Sequence, residues 1–310
     1  MSVFASSSAA FSPVISQSVN EVDRQSFVGQ RIYPVVNVNT SKGNYVKIEG
    51  NQFDNDYSKP RKPGSNFASA SQEYTSASYD CMEYGLEVAI DDLELSIAET
   101  DALLDVASVT ANQIADDLAI GHEIRVANSV NGASFNSTAA TAAMSVVATA
   151  TPIADINNAV LRLNANGMFR NINLVIEASL YAEMLQTDDM RNLINGSGTL
   201  AFSQDQVARV LGVEGVIICN TRYNSAKKGQ SRSSSKIWSD SSYYVMQIAQ
   251  GAFANGGVGR TLAYNGGTGS GLFTAETFRT EQPPASVVRV RQNVDEVILN
   301  VNAGEKITGA

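Results

Sequence analysis

The stretch Thr100–Asn128, TDALLDVASVTANQIADDLAIGHEIRVAN, contains no proline and one interior glycine, Gly121. Leu103, Ala107, Thr110 with Ala111, Ile114, Leu118, His122 and Arg125 recur in it at the period of a helix face. Asp101, Asp105, Asp116, Asp117 and Glu123 fall mostly off that stripe. The pattern predicts one long helix, with Ser96 and Glu99 as an upstream capping box and Arg125 suited to its carboxy end. At ~1.5 Å per residue it would be roughly 40 Å long, the diameter of a small domain. Such a helix is a spine for other elements rather than one layer of an ordinary core, with Leu103, Ile114, Leu118 and His122 as its inward residues.

Outward from the spine, composition sets the class. The chain has 310 residues, enough for about two domains at the usual ~150 residues each, and 44% of them are apolar, enough to build cores. The formal charge of −9 disfavours non-specific attraction to nucleic acid or anionic membranes. Two cysteines far apart, Cys81 and Cys219, predict reduced buried thiols. No apolar run approaches the length of a membrane span, and the amino terminus lacks the pattern of a secretory signal, which predicts intracellular synthesis.

Residues 1–30 are rich in Ser and Ala and hold no steady period. They read either as a disordered tail or as an arm ordered by a neighbouring surface that receives Phe4, Phe11, Val14 and Ile15. From 31 to 84 the pattern is β-like and thin in core residues. Ile32–Val38 and Asn44–Glu49 read as two strands joined at Ser41–Gly43, followed by a polar tip with Lys59, Arg61 and Lys62. A two-stranded ribbon is marginal alone in water, so this stretch is expected to lie on another copy of the chain. Tyr84, Leu86, Val88 and Ile90 alternate on one face of a further strand leading into the helix.

Beyond the helix, residues 132–151 read as an Ala/Thr/Ser linker into a second body of α/β order. That body holds a helix from Thr151 to about Asn164, a buried strand Leu174–Glu177, a helix capped by Ser179, a capping box Ser203/Gln206, a strand Val216–Asn220 and strands at Lys236–Trp238 and Tyr243–Ile248. A glycine-rich passage, 251–271, is expected to close it. Three strands at 273–278, 287–291 and 294–301 would return beside the spine.

Chemistry is scarce. A Ser–His–Asp site would require the single histidine, His122, which sits on the apolar stripe and reads as structural. The passage 266–271, GGTGSG, lacks the Lys-Ser ending of a phosphate loop. Asp91–Asp92 and Asp188–Asp189 read as helix-dipole partners before cation ligands. Lys227, Lys228, Arg232 and Lys236 form the one basic cluster, without the aromatic interleaving of a nucleic-acid surface. No catalytic, cofactor or metal residues are nominated.

The order of these parts, with IYPVV at 32–36, RKPG at 61–64, YGLEVAIDD at 84–92, LGVEGVIICN at 211–220, Tyr223-Asn224 and Ile237-Trp238, resembles the major capsid protein of tailed double-stranded DNA bacteriophages, the Hong Kong ninety-seven type coat fold. The resemblance implies an α+β chain with an amino-terminal arm (1–30), an extended β-loop (31–84), a peripheral domain around the spine (85–140 with 272–310) and an α/β axial domain (141–271). It implies a structural protein, not an enzyme, that forms hexamers and pentamers of an icosahedral shell around double-stranded DNA. Phe4, Phe11, Ile15, Lys59, Arg61 and Lys62 become assembly-interface candidates. The implied partners are further copies of itself, a separate scaffolding protein, a portal and a decoration protein, and the implied location is the virion after synthesis in the bacterial cytoplasm. An encapsulin-like compartment shell is the alternative of the same fold, and a hydrolase using His122 the alternative of another class.

Overall fold

The computed structural model describes residues 10–11, 13–21, 27–48, 60–66, 74–93, 106–197, 203–227, 229–249, 256–264 and 271–310. Phe4, Lys59, Leu103 and the Ser96/Glu99 capping box lie outside them. The spine helix, α3, runs Val106–Gly132, so it continues one turn beyond the expected end at Asn128. Its buried face changes along its length. Ala111, Ile114, Ala115, Leu118 and Ala119 pack with Phe273, Ala275, Val288, Val290 and Val294. Val126, Ala127 and Val130 pack instead with Val175, Ile217, Tyr244 and Met246. One helix thereby supplies core to two sheets, and each fully buried aliphatic side chain contributes about 1.5–3 kcal/mol.

The first sheet has six strands. Its order is β1 (Ala10–Phe11), β13 (Thr274–Glu281), β14 (Pro284–Ile298), β12 (Gly259–Ala263), β2 (Val35–Asn37), and β5 (Met82–Asp91) also pairs with β14. The expected return strands at 287–291 and 294–301 are one strand, β14, whose 15 residues are long enough to pair with β13, β12 and β5. The glycine-rich passage does not simply close the α/β body. It contains β12, buried at all five positions and paired with β14 and with β2. The flanking glycines masked that strand in the sequence.

The second sheet has the order β6 (Asn136–Ala139), β15 (Gly304–Thr308), β11 (Ser242–Gln247), β7 (Ile172–Glu177), β8 (Gly215–Cys219). Helices α4 (Pro152–Ala165), α5 (Ala178–Gln186), α6 (Asp188–Ser197) and α7 (Gln204–Val210) belong to this body. Ile156, Leu163, Leu180, Met184, Met190 and Val207 from the four helices meet Leu174, Ile176, Val216, Tyr243 and Val245 on one face of the sheet. The end of α3 covers the other face, and a sheet buried on both faces explains the continuous apolar runs at 174–176 and 216–219. Residues 132–151 are not merely a linker, because Asn136–Ala139 adds β6 in parallel to β15.

The Ser203/Gln206 capping box forms as the spacing predicts. The cap of α5 is Glu177, not Ser179. Its carboxylate accepts from the backbone N–H groups of Ser179 and Leu180.

Nearer the amino end, two expectations change. Residues 13–21 form a helix, α1, against this chain's own β13: Asn20 Nδ2 donates to Phe273 O at 2.8 Å, and Ser16 Oγ accepts from Ala275 N at 2.9 Å. Polar side-chain anchors of this kind leave no apolar period to detect. Ile32 and Tyr33 do not begin a strand. Gly29–Ile32 is a helical turn, α2, and both residues are fully buried. The ribbon is β3 (Lys42–Ile48) paired with β4 (Tyr74–Asp80), rather than with residues 32–38. Among residues 42–47 and 75–80 none is buried. The ribbon touches the body at its base, where Tyr45 Oη donates to Ile298 O at 3.1 Å and Asp80 N to Asp295 Oδ2 at 2.9 Å.

Candidate functional site

Where α3 passes from one sheet to the other, two adjacent polar residues are buried, His122 and Glu123. His122 Nε2 lies 3.0 Å from Thr261 Oγ1 of β12 and 3.7 Å from Glu296 Oε1 of β14. Burial, reinforced by the charge of Arg125, lowers the imidazole pKa to about 3, so His122 is neutral and its contact with Glu296 is not an ion pair. The cation that does meet Glu296 is Arg125, with Nε at 3.0 Å and its guanidinium stacked 3.9 Å from the Tyr84 ring centroid. Burial still raises the Glu296 pKa against that attraction.

Glu123, the next residue, gathers donors from the amino-terminal segment and the α/β body. Its Oε2 accepts from Gly29 N at 2.6 Å, and its Oε1 from Trp238 Nε1 at 2.7 Å and Thr221 Oγ1 at 3.4 Å. Burial raises this carboxyl pKa, and the donors from Trp238, Gly29, Thr221 and Val28 pull the other way. The amino-terminal segment, the spine and the α/β body therefore meet on one side chain. A Cβ at position 29 would come within 3.0 Å of Glu123 Oε2 and 3.2 Å of His122 Nδ1, so a larger residue there would need both side chains to give way. Glu123 reads from sequence as an off-stripe, solvated acid. The signal that could have found it is the second apolar stripe, Ala119, Val126, Ala127 and Val130, which flanks it on the same helix.

The carboxylate pairs serve as local partners. Asp92 pairs with Arg279, Asp91 Oδ1 accepts from Leu93 N at 2.9 Å, and Asp189 Oδ2 accepts from Ile153 N at 3.3 Å. Among the described residues no cluster of three or more His, Cys, Asp or Glu could hold a metal ion. Both cysteines are free and buried. No helix of the described residues is long and apolar enough to cross a membrane.

Four of the assembly-interface candidates, Phe11, Ile15, Arg61 and Lys62, fall within the described residues. Phe11 lies in β1 opposite Glu276, and Ile15 is half-buried against the first core. Arg61 and Lys62 are exposed in a turn closed by Ser65 N–H to Lys62 O at 3.1 Å. On the first sheet's outer face, Glu87, Arg289, Glu276, Arg291 and Glu83 form a chain of cross-strand ion pairs. On its other face Leu86 and Val88 of β5 stay 45% and 42% exposed.

No family model and no curated protein sequence matches this chain. Solved structures do. A phage-related protein from Bordetella bronchiseptica RB50 superposes with a TM-score of 0.76 at 14% identity, covering 97% of this chain and 98% of that one. The capsid structure of the cyanophage P-SCSP1u gives 0.58 at 14% identity, over 90% and 86% of the two chains. A virus-like particle from Pyrococcus furiosus gives 0.57 at 11% identity, over 95% and 97%. From the spine helix to both sheets, this chain has the α+β fold found in phage capsid proteins.

Proposed function

We propose that this protein is the major capsid protein of a tailed bacteriophage, a structural subunit that assembles with copies of itself into an icosahedral shell around double-stranded DNA. The observation that carries this reading is the end-to-end likeness to a capsid structure, over 90% of this chain and 86% of that one. The ribbon supports it: a two-stranded element with no buried residue at 42–47 or 75–80 acquires stable surroundings when it lies on a neighbour. In this reading residues 1–30 form the arm and 31–84 the extended loop. The first sheet with α3 forms the peripheral part, and the second sheet with α4–α7 the axial part. Phe4, Phe11, Ile15, Lys59, Arg61 and Lys62 are then interface residues, and a separate scaffolding protein, a portal and a decoration protein are the further partners. His122, buried and neutral against Thr261, serves packing rather than hydrolysis.

A compartment shell around protein cargo is the second reading, favoured by the likeness to the Pyrococcus furiosus virus-like particle. Electron microscopy of the expressed chain tests both. Closed shells are expected, and their contents, nucleic acid or protein, separate the two readings. A chain that stays monomeric at high concentration and also with a scaffolding partner supplied overturns the coat reading.

A further inference from the structure

The basic cluster at 222–236 has no role in the spine, the sheets or the ribbon. It is a built hairpin. Strands β9 (Arg222–Asn224) and β10 (Ser234–Lys236) pair in antiparallel register. Asn224 Oδ1 accepts from Ala226 N at 3.2 Å and from Ser233 N at 3.0 Å, and Ser225 Oγ meets Ser235 Oγ at 2.7 Å. Its root is fixed to the body: Lys236 Nζ donates to Ser179 Oγ at 2.7 Å and pairs with Glu177 and Asp240, and Trp238 just beyond it is tied to Glu123.

The charge on this hairpin is of one sign. Residues 222–236 contain Arg222, Lys227, Lys228, Arg232 and Lys236 and no acid, in a chain whose total is −9. Arg222, Lys227 and Arg232 are exposed and form no ion pair with any described residue. By contrast Lys42, Arg125, Arg162, Arg279, Arg289 and Arg291 each meet a carboxylate within the chain. Exposed carboxylates also remain without an ion pair among the described residues, at Asp117, Glu183, Asp188, Asp205 and Glu214. A cationic hairpin on a body with a surplus of acid is complementary to that same body in another copy. Contact between two different patches of identical chains is heterologous, giving rings where the rotation closes and open filaments where it does not. Because the two strands of the hairpin are already paired, docking need not order their backbone.

We propose that the 222–236 hairpin docks on the acidic surface of an adjacent copy and supplies an electrostatic contact between subunits. The inference rests on the coat-protein reading and names a surface within it. Duplex DNA is the competing anion. The chain's overall negative charge argues against it, and Tyr223 is the one aromatic residue of the hairpin, short of a stacking platform.

The test compares the wild-type chain with Arg222→Ser/Lys227→Ser/Arg232→Ser and with the matching triple Glu variant, after equal thermal melts establish folding. Sedimentation is read at about 50 mM and about 300 mM salt, since the screening length is ~10 Å at 0.1 M. The Ser variant is expected to associate roughly tenfold more weakly at low salt and the Glu variant more weakly still, with the difference shrinking at high salt. Wild-type association by both variants at both salts overturns the hairpin proposal and leaves the coat reading standing. A wild-type chain that never associates, even at high concentration and with a scaffolding partner supplied, overturns both. Retention of a labelled 30-base-pair duplex by the wild type but not by the Ser variant assigns the hairpin to nucleic acid and overturns the copy-to-copy contact.

Discussion

Glu123→Ala isolates the junction of arm, spine and α/β body. The side chain is completely buried, and two well-aligned donors, Gly29 N at 2.6 Å and Trp238 Nε1 at 2.7 Å, end on separate carboxylate oxygens. Each buried donor left without an acceptor costs about 1–3 kcal/mol, and relief of the buried charge offsets part of that loss. The expected destabilisation is about 3–5 kcal/mol, a large fraction of an ordinary domain's total. Glu123→Gln keeps the shape and one acceptor oxygen but turns an NH2 toward the other donor, so about 1–3 kcal/mol is expected. Urea midpoints of the unassembled subunit give both values.

The pH dependence has a definite sign. Burial holds the Glu123 carboxyl above its ordinary value of 4.5, so the unfolded chain ionises first as pH rises. This group's contribution is full below 4.5 and is lost as pH climbs through the raised native value. Wild type minus Glu123→Gln should therefore fall from about pH 4.5 upward. A loss below ~1 kcal/mol for Glu123→Ala, or a Gln variant weaker than the Ala variant, refutes the converging-donor account.

Leu118→Ala should cost about 2–5 kcal/mol, because Leu118 packs in the core shared by α3 and the first sheet, whereas His122→Gln, which can still reach Thr261, should cost far less than Leu118→Asp; shell yield by sedimentation and urea midpoints rank them. If His122→Gln removes function while shells still form, the imidazole has a chemical role. Limited trypsin digestion should nick unassembled subunits at the Arg61–Lys62 bond, since Lys59 and Lys62 both precede proline, and spare shells, and equal protection of both would contradict ordering of the ribbon by neighbours. Arg61→Glu with Lys62→Glu should leave folded subunit but slow assembly, measured by light scattering at low and moderate salt, and normal assembly at both would remove these residues from the interface.

The sequence carried the spine and the α/β body most clearly, because their signals are local. Helical spacing located the carboxy end of α3 to within a turn, Ser203 with Gln206 marked α7, and unbroken aliphatic runs marked β7 and β8. Pairing was not legible. β3 finds its partner across residues 49–73, and β12 is a strand only because β14 and β2 flank it. Register between distant segments depends on the whole fold, and glycines around Arg260 read locally as loop. The polar centre was hidden for a related reason. Periodicity scores a buried glutamate as exposed, and only the donors of Gly29, Thr221 and Trp238, remote in sequence, show otherwise.

The place of β15 in the second sheet sets the order in which that sheet can be finished. β15 lies between β6 and β11, yet it is translated after every other strand of both sheets. On a ribosome adding ~5–20 residues per second, β7, β8 and β11 can pair while β6 still waits for its sole partner in the sheet, Gly304–Thr308. A nascent chain stopped short of that strand presents an open edge on β11 and lacks the interior charge pair of Glu305 with Arg162. The second sheet is thus completed by the last strand of the chain, and removing Gly304–Thr308 leaves the facing backbone groups of β6 and β11 unpaired at once.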